Sequence, residues 1–218
     1  MTRRPANTAA MLNIAVLISG GGSTLANLIE RIADGRLTNT RIVRVISSRS
    51  GVGGVEIARA ADLPLDVVRR KDHGDHAIFG GAVFDAVRAA RAELVVMGGY
   101  LCYLPIATDY RSRVLNVHPA LLPAHGGAGM MGMRVHEAVL AAGERRTGCT
   151  VHIADDEYDH GPIVAQRLID VRAGDTAETL AVRVGELERD LYPEVIQRVA
   201  DHGPAWLDQP AAWPVNSR

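Results

Sequence analysis

The stretch "IAVLISGGGSTLANLIERIADGRL", residues 14–37, decides the fold. Its first five residues are all apolar, without the alternation of a half-exposed strand. A run of that kind suits a strand buried on both faces, as in parallel sheets. "SGGGST" follows, and then apolar residues at helical spacing: Leu25, Leu28, Ile29 and Ile32 share one face. Gly35 is placed to end that helix. The unit reads as strand, glycine loop, helix.

The pattern repeats downstream. "IVRVIS" (42–47) reads as a strand, "GVEIARAADL" (54–63) as a helix and "PLDVVRR" (64–70) as a short strand. "AIFGGAVFDAVRAARA" (77–92) reads as a helix, and "ELVVMGG" (93–99) and "VLNVH" (114–118) as strands. Alternation of this kind implies an α/β fold with a doubly wound, mostly parallel sheet. Beyond Gly126 the pattern changes. "MRVHEAVLAAGE" (133–144) is helical, and "TGCTVHIA" (147–154) and "PIVAQRLIDV" (162–171) are two strands joined by an acidic turn, an antiparallel C-terminal addition. The last helix begins near "GDTAET" (174–179), with Asp175 as its cap and Glu178 closing a capping box. Leu180, Val184, Leu187, Leu191 and Val195 then form an apolar stripe. No repeat or linker interrupts residues 12–203, which read as a single domain between a tail at 1–11 and a Pro-rich tail at 204–218.

Composition narrows the function. Apolar residues make up 47% of the 218 but aromatics only 4%, so the core is aliphatic. Lys and Arg total 24 against 25 Asp and Glu, which gives no bulk signal for nucleic acid or an acidic membrane. No apolar run reaches about 18 residues, the length a membrane span needs. Two isolated cysteines, Cys102 and Cys149, fit a reducing cytoplasm better than a disulfide framework.

Three constellations carry chemistry. The first is the glycine loop. Gly21, Gly22, Ser23 and Thr24 lie between a buried strand and a helix, where backbone N–H groups and the helix dipole favour an anion. No Gly-Lys-Ser/Thr closes the loop, and Leu25 takes the place of the last glycine in G-x-G-x-x-G. The loop therefore reads as a site for a single phosphate, against the plainer reading of a tight turn. The second is "NVHP", where Asn116 and His118 share one face at the end of a strand. An amide and an imidazole there can hold a carbonyl oxygen as it becomes an oxyanion. A buried histidine satisfied by backbone is the alternative. The third is "DDEYDHGP" (155–162), whose carboxylates can reach His118 and move a proton, or form a solvated turn. Zinc is a minor reading, because the five histidines at 118, 125, 136, 152 and 160 lack ligand spacing.

Taken in order, "IAVLISGGGST", "LNVHPALLP", "TGCTVHIADDEYDHGPIVAQ" and "DTAETLAVRVGELERDLYP" resemble the folate-dependent phosphoribosylglycinamide formyltransferases of purine synthesis, over roughly residues 12–200. The resemblance implies a cytoplasmic transferase of one-carbon metabolism with a Rossmann-like fold. It would use 10-formyltetrahydrofolate as cosubstrate and glycinamide ribonucleotide as acceptor, without a metal. Asn116, His118 and Asp159 match the family's catalytic trio, with a protonated His118 at the oxyanion and Asp159 keeping it charged. Gly21, Gly22, Ser23 and Thr24 match the loop for the substrate phosphate, and Glu188 the contact to the substrate's ribose end. Tyr100, Leu101, Cys102, Tyr103 and Leu104 match the folate pocket, together with His76, Asp155, Asp156, Glu157 and Tyr158. Residues 12–113 become the phosphate-binding half, and 114–203 the catalytic and folate half. Pro123 matches a proline that takes the cis form. A homodimer is left open, and neither nucleic acid nor membrane is implied.

The chain departs from the family at several positions. Gly21 and Thr24 replace asparagines of the phosphate loop, and Cys102 stands where an arginine is usual. His76 falls near another such arginine. "AHGGAGMMGMRVHEA" (124–138) is longer than the usual connection and reads as a Gly/Met flap over the site, against a packing variation without a role or a change of acceptor. A nucleotide-linked amino sugar is the alternative acceptor, and a catalytically silent nucleotide-binding module the alternative class. Length disfavours methionyl-tRNA formyltransferases and formyltetrahydrofolate hydrolases, which carry further domains.

Overall fold

The structure is a computed structural model that describes residues 10–210; most of the tail expected at 1–11 and the end of the one at 204–218 lie outside them. Seven strands form one sheet in the order β3-β2-β1-β4-β5-β6-β7. They are β1 (Leu12–Ile18), β2 (Thr40–Ser47), β3 (Leu65–Val67), β4 (Leu94–Met97), β5 (Val114–His118), β6 (Arg146–Ile153) and β7 (Ile163–Asp170). The first five run parallel, and β6 and β7 are antiparallel to their neighbours. The helices are α1 (Ser23–Ala33), α2 (Gly53–Ala60), α3 (His76–Ala89), α4 (Met133–Ala141) and α5 (Ala177–His202). The expected α/β class, parallel run and antiparallel addition are all present.

The apolar run of β1 is buried on both faces, as its lack of alternation implies. Ile14, Val16 and Ile18 pack in one core with Leu25, Leu28, Leu180, Val184, Leu191 and Val195. Ala15 and Leu17 pack in the other, with Phe79, Val83 and Phe84 of α3. The chain leaves β1 towards β2 and β3 on one side and returns to β4 and β5 on the other. The crevice beyond the carboxyl ends of β1 and β4 is therefore the topological switch point, where open α/β sheets bind ligands.

Tyr192 and Pro193 of α5 serve that crevice. The buried Tyr192 hydroxyl reaches the carbonyls of Met97 (3.2 Å) and Leu115 (2.7 Å), tying the helix to β4 and β5. Pro193 has no N–H, so the Arg189 carbonyl four residues earlier lacks its helical donor. The buried Asn27 side chain supplies one instead at 2.8 Å, which bolts α1 to α5.

Several expected boundaries shift. The helix after the glycine loop begins at Ser23, so Ser23 and Thr24 belong to its first turn. The third strand covers only residues 65–67 of the seven expected. The cap of α5 is Thr176, not Asp175. Thr176 accepts from the N–H of Thr179, and the Thr179 hydroxyl accepts from the N–H of Thr176. Asp175 instead accepts from the N–H of Arg172 and from Arg183. Thr176→Ala is therefore expected to cost about 1 kcal/mol, read as a lowered urea midpoint; an unmoved midpoint would return the cap to Asp175. The packed chain also extends past residue 203. A 3-10 helix, Pro204–Asp208, buries Trp206 and Leu207 in the core.

Candidate active site

A cavity of about 360 Å³ occupies the switch point. The glycine loop, residues 97–104 after β4, the end of β5, the 155–159 loop and Glu188 of α5 all line it. The glycine loop is held from behind. Gly22 has φ 78°, and a Cβ there would lie 2.5 Å from the Cα of Gly54 at the start of α2. The N–H of Gly54 donates to the Gly20 carbonyl at 3.0 Å. Only glycines fit this contact, and it leaves the other side of the loop facing the cavity.

The end of β5 brings three expected residues together. His118 Nδ1 lies 3.4 Å from Asp159 Oδ2, with both side chains at 10% exposure or less. The Asn116 amide lies 3.4 Å from Asp159 Oδ1. Asp159 sits at φ 54° and also accepts from the N–H of Gly127 at 3.0 Å. Burial alone would raise its pKa. The imidazoles of His152, 3.6 Å away, and of His118, together with the Gly127 N–H, outweigh that and hold the carboxyl below its ordinary value.

His152 completes the cluster and was not among the expected site residues. It faces Asn116 across the β5–β6 ladder. Its Nδ1 lies 3.1 Å from the Ile153 carbonyl, which can only accept, so Nδ1 carries the proton. Nε2 is then free to accept from the Asn116 amide at 3.0 Å. The signal was the alternation of "TGCTVHIA", which sets Thr150 and His152 on one face; the ladder register that places His152 beside Asn116 was not readable.

His118 departs from the expectation of a resident positive charge. Burial pulls its pKa below the ordinary 6.5, and the charge of Asp159 and the His125 carbonyl offset this only in part. The imidazole is therefore mainly neutral near pH 7. Its Nε2 donates to the His125 carbonyl at 2.8 Å, which leaves Nδ1 facing the carboxylate. The donors of Asn116 and His118 are thus engaged within the protein, and a reacting oxygen has to displace the longest or most exchangeable of them.

The turn beyond β5 is braced by Thr150. Its hydroxyl donates to the Ala120 carbonyl at 2.7 Å and accepts from the N–H of Leu122 at 3.0 Å. The Leu122–Pro123 bond is cis, as the resemblance implies. The Gly/Met segment contributes Gly127, Met130, Met131 and Gly132 to the lining.

Tyr100, Leu101, Cys102, Tyr103 and Leu104 line the far end of the cavity with Asp155, Glu157 and Tyr158. Asp156 and His76 do not. Asp156 is a strut between the two loops: its carboxylate accepts from the N–H of Ile106 and from Arg111, both at 3.2 Å, while its carbonyl accepts from the Tyr103 hydroxyl at 3.0 Å. His76 is exposed and stands edge-on to Tyr103 at 5.3 Å, outside the lining. Among the described residues no group of three or more His, Cys, Asp or Glu is placed to hold a metal ion. Nor is any helix there long and apolar enough to cross a membrane.

Glu188 also lines the cavity, and among the described residues no hydrogen bond or ion pair engages its carboxylate. Burial raises its carboxyl pKa to about 7. The folded value exceeds the unfolded 4.5, so this residue's contribution to stability is full below pH 4.5 and lost as pH rises through about 7. Glu188→Gln is expected to stabilise the protein by on the order of 1–3 kcal/mol at pH 8 and by far less at pH 4.5. Urea midpoints at the two pH values check this, and equal gains at both would contradict it.

Comparison with known proteins identifies a family. The chain matches the family described as formyl transferase over residues 12–196. It is 37% identical over 198 residues to the chloroplastic phosphoribosylglycinamide formyltransferase of Arabidopsis thaliana, covering 89% of this chain and 68% of that protein. It is 38% identical over 191 residues to the trifunctional purine biosynthetic protein adenosine-3 of Gallus gallus, covering 87% of this chain but 18% of that protein. Among solved structures, glycinamide ribonucleotide transformylase 1 from Symbiobacterium toebii superimposes with a TM-score of 0.81 at 33% identity, covering 88% of this chain and 89% of that one.

Proposed function

The chain belongs to the formyl transferase family, and from that premise we propose that it moves a formyl group from 10-formyltetrahydrofolate to the amine of glycinamide ribonucleotide, the activity for which its relatives are named. The observation that carries this reading is the convergence of Asn116, His118 and Asp159 on the cavity that the glycine loop also lines.

In this reading acceptor and donor meet in the one cavity. At about 360 Å³ it lies in the range of small-molecule sites. The glycine loop and the N-terminus of α1 receive the acceptor's phosphate. Glu188 receives its ribose. The aromatic rings of Tyr103 and Tyr158 and the backbone of residues 100–104 receive the folate ring system, which is flat and rich in hydrogen-bonding edges. The acceptor amine is thereby directed at the donor's formyl carbon beside Asn116.

The bound donor supplies a carbonyl carbon that exchanges one nitrogen for another. The new C–N bond forms to the acceptor amine, the old one to the folate nitrogen breaks, and one proton passes from the first nitrogen to the second. This chain's residues manage the charge. The Asn116 amide turns from Asp159, its longer contact, to the oxygen on which charge grows. His118 takes up a proton from water as that charge develops and returns it to water when the carbonyl re-forms, and the Asp159 carboxylate 3.4 Å from Nδ1 stabilises the imidazolium in between. Asp159 then relays the amine proton through water, its low pKa keeping it ionised and ready to accept. His152 fixes the Asn116 amide through the 3.0 Å contact. Cytoplasmic residence belongs to the same reading and rests on the free thiols of Cys102 and Cys149.

Steady-state assays of tetrahydrofolate release with competing acceptors test the assignment. Turnover with glycinamide ribonucleotide and none with a nucleotide-linked amino sugar is the expected result. The reverse preference would reassign the acceptor and point to the 124–135 loop.

A further inference from the structure

The cavity's charge is unbalanced. Asp155, Glu157, Asp159 and Glu188 line it, and among the described residues no lysine or arginine does. A phosphomonoester carries close to two negative charges at pH 7. The glycine loop meets it with neutral N–H and hydroxyl groups and about half a unit charge from the dipole of α1.

A second recess, of about 310 Å³, lies behind the first turn of α1. It shares Ser23, Thr24, Val117 and Glu188 with the main cavity, so the two meet at the glycine loop. Arg189 lines this recess and, among the described residues, is the single lysine or arginine lining either one. Its side chain is exposed, and no ion pair or side-chain hydrogen bond among the described residues engages its guanidinium. The free guanidinium contrasts with a fixed backbone. The Arg189 carbonyl is held by Asn27, one turn along α1 from Ser23, because Pro193 leaves that carbonyl open. The neighbouring Asp190 pairs with Arg31 of α1. The turn carrying Glu188 and Arg189 is therefore bolted to the helix whose first turn lines the main cavity. Gly185, one turn back on α5, also lines the recess and has nothing within 4 Å of where its Cβ would stand, so the approach is open.

We propose that Arg189 is the cation for the acceptor's phosphate, pairing with it across Ser23 and Thr24 and so selecting phosphorylated acceptors. This rests on the formyl-transfer reading and adds to it a specificity-determining residue. Arg suits the task because its planar fork matches phosphate geometry.

The test compares Arg189→Gln and Arg189→Lys with the parent chain. Arg189→Gln is expected to raise KM for glycinamide ribonucleotide about 10- to 100-fold, the effect of losing a charge-assisted hydrogen bond. The change should fall on KM more than on kcat and leave KM for the folate donor in place. Arg189→Lys should recover part of the loss. With the dephosphorylated acceptor the parent and Arg189→Gln should be alike. A KM within twofold of the parent's, in a chain that turns over glycinamide ribonucleotide, would overturn the inference and leave the function standing. Calorimetric titration with inorganic phosphate gives a readout independent of turnover. Weaker phosphate binding in Arg189→Gln supports the inference even if that acceptor is not a substrate, and equal binding overturns it.

Discussion

Asp159→Asn is expected to lower kcat by about 10³-fold or more, with KM for both substrates within a few-fold of the parent chain. The substitution keeps the size and planarity of the side chain, and the amide oxygen can still accept from Gly127. What it removes is the charge and the proton-accepting capacity. Positioned acid–base groups are worth about 10²–10⁴ in rate, and this one also stabilises the imidazolium of His118. The variant should move the pH profile as well. Asp159 is the largest influence raising the His118 pKa against its burial. Without the carboxylate the imidazole takes a proton only at lower pH, so the rate limb that reports His118 shifts towards acid. A kcat within tenfold of the parent's, on an unshifted profile, would show that the carboxylate neither relays the proton nor sets the state of His118.

Gly161→Ala is expected to cost about 2–4 kcal/mol of stability and to reduce kcat by about 10²-fold. A Cβ at Gly161 would lie 1.9 Å from the Ile153 carbonyl oxygen and 3.0 Å from its carbon. Both are backbone atoms, so no rotamer change relieves the clash. The Ile153 N–H also bonds the Pro162 carbonyl at 2.9 Å, which pins the chain on the other side of Gly161. The 155–161 loop must therefore shift, and Asp159 lies two residues upstream with its carboxylate held among four partners. Gly81→Ala is the control. Nothing lies within 4 Å of a Cβ at that position of α3, and alanine there is expected to be neutral or to stabilise by about 0.5–1 kcal/mol. A stable, active Gly161→Ala chain would show that the loop tolerates displacement of Asp159.

Local pattern made the sheet readable. Uninterrupted apolar runs at 14–18 and 94–97 marked strands covered on both faces, and their alternation with amphipathic helices implied the parallel order. Asn116 and His118 were legible for the same reason, since a strand sets residues two apart on one face. The parts that were not legible depend on contacts between distant segments. Thr176 and Asp175 both precede α5 with a suitable side chain three residues on, and only the backbone conformation chose Thr176. His152 needed the β5–β6 register. The neutrality of His118 follows from its burial, which outweighs the opposing pull of Asp159 and of a carbonyl seven residues away, and no motif records that balance. Asp156 sits in a suitable loop and His76 opens α3, yet one turns to brace Ile106 and the other lies outside the lining. Trp206 and Leu207 fall in a single short 3-10 turn, too brief for any periodicity to announce burial.

Transfer of a labelled formyl carbon tests the account most directly. Folate donor carrying carbon-13 in its formyl group would be mixed with stoichiometric enzyme and glycinamide ribonucleotide, and the products followed by carbon-13 NMR. The account predicts that the label appears as a formamide on the acceptor amine in the parent chain, and that Asp159→Asn retains it on folate over the same interval. Label appearing as free formate, or an Asp159→Asn chain that transfers as fast as the parent, would contradict it.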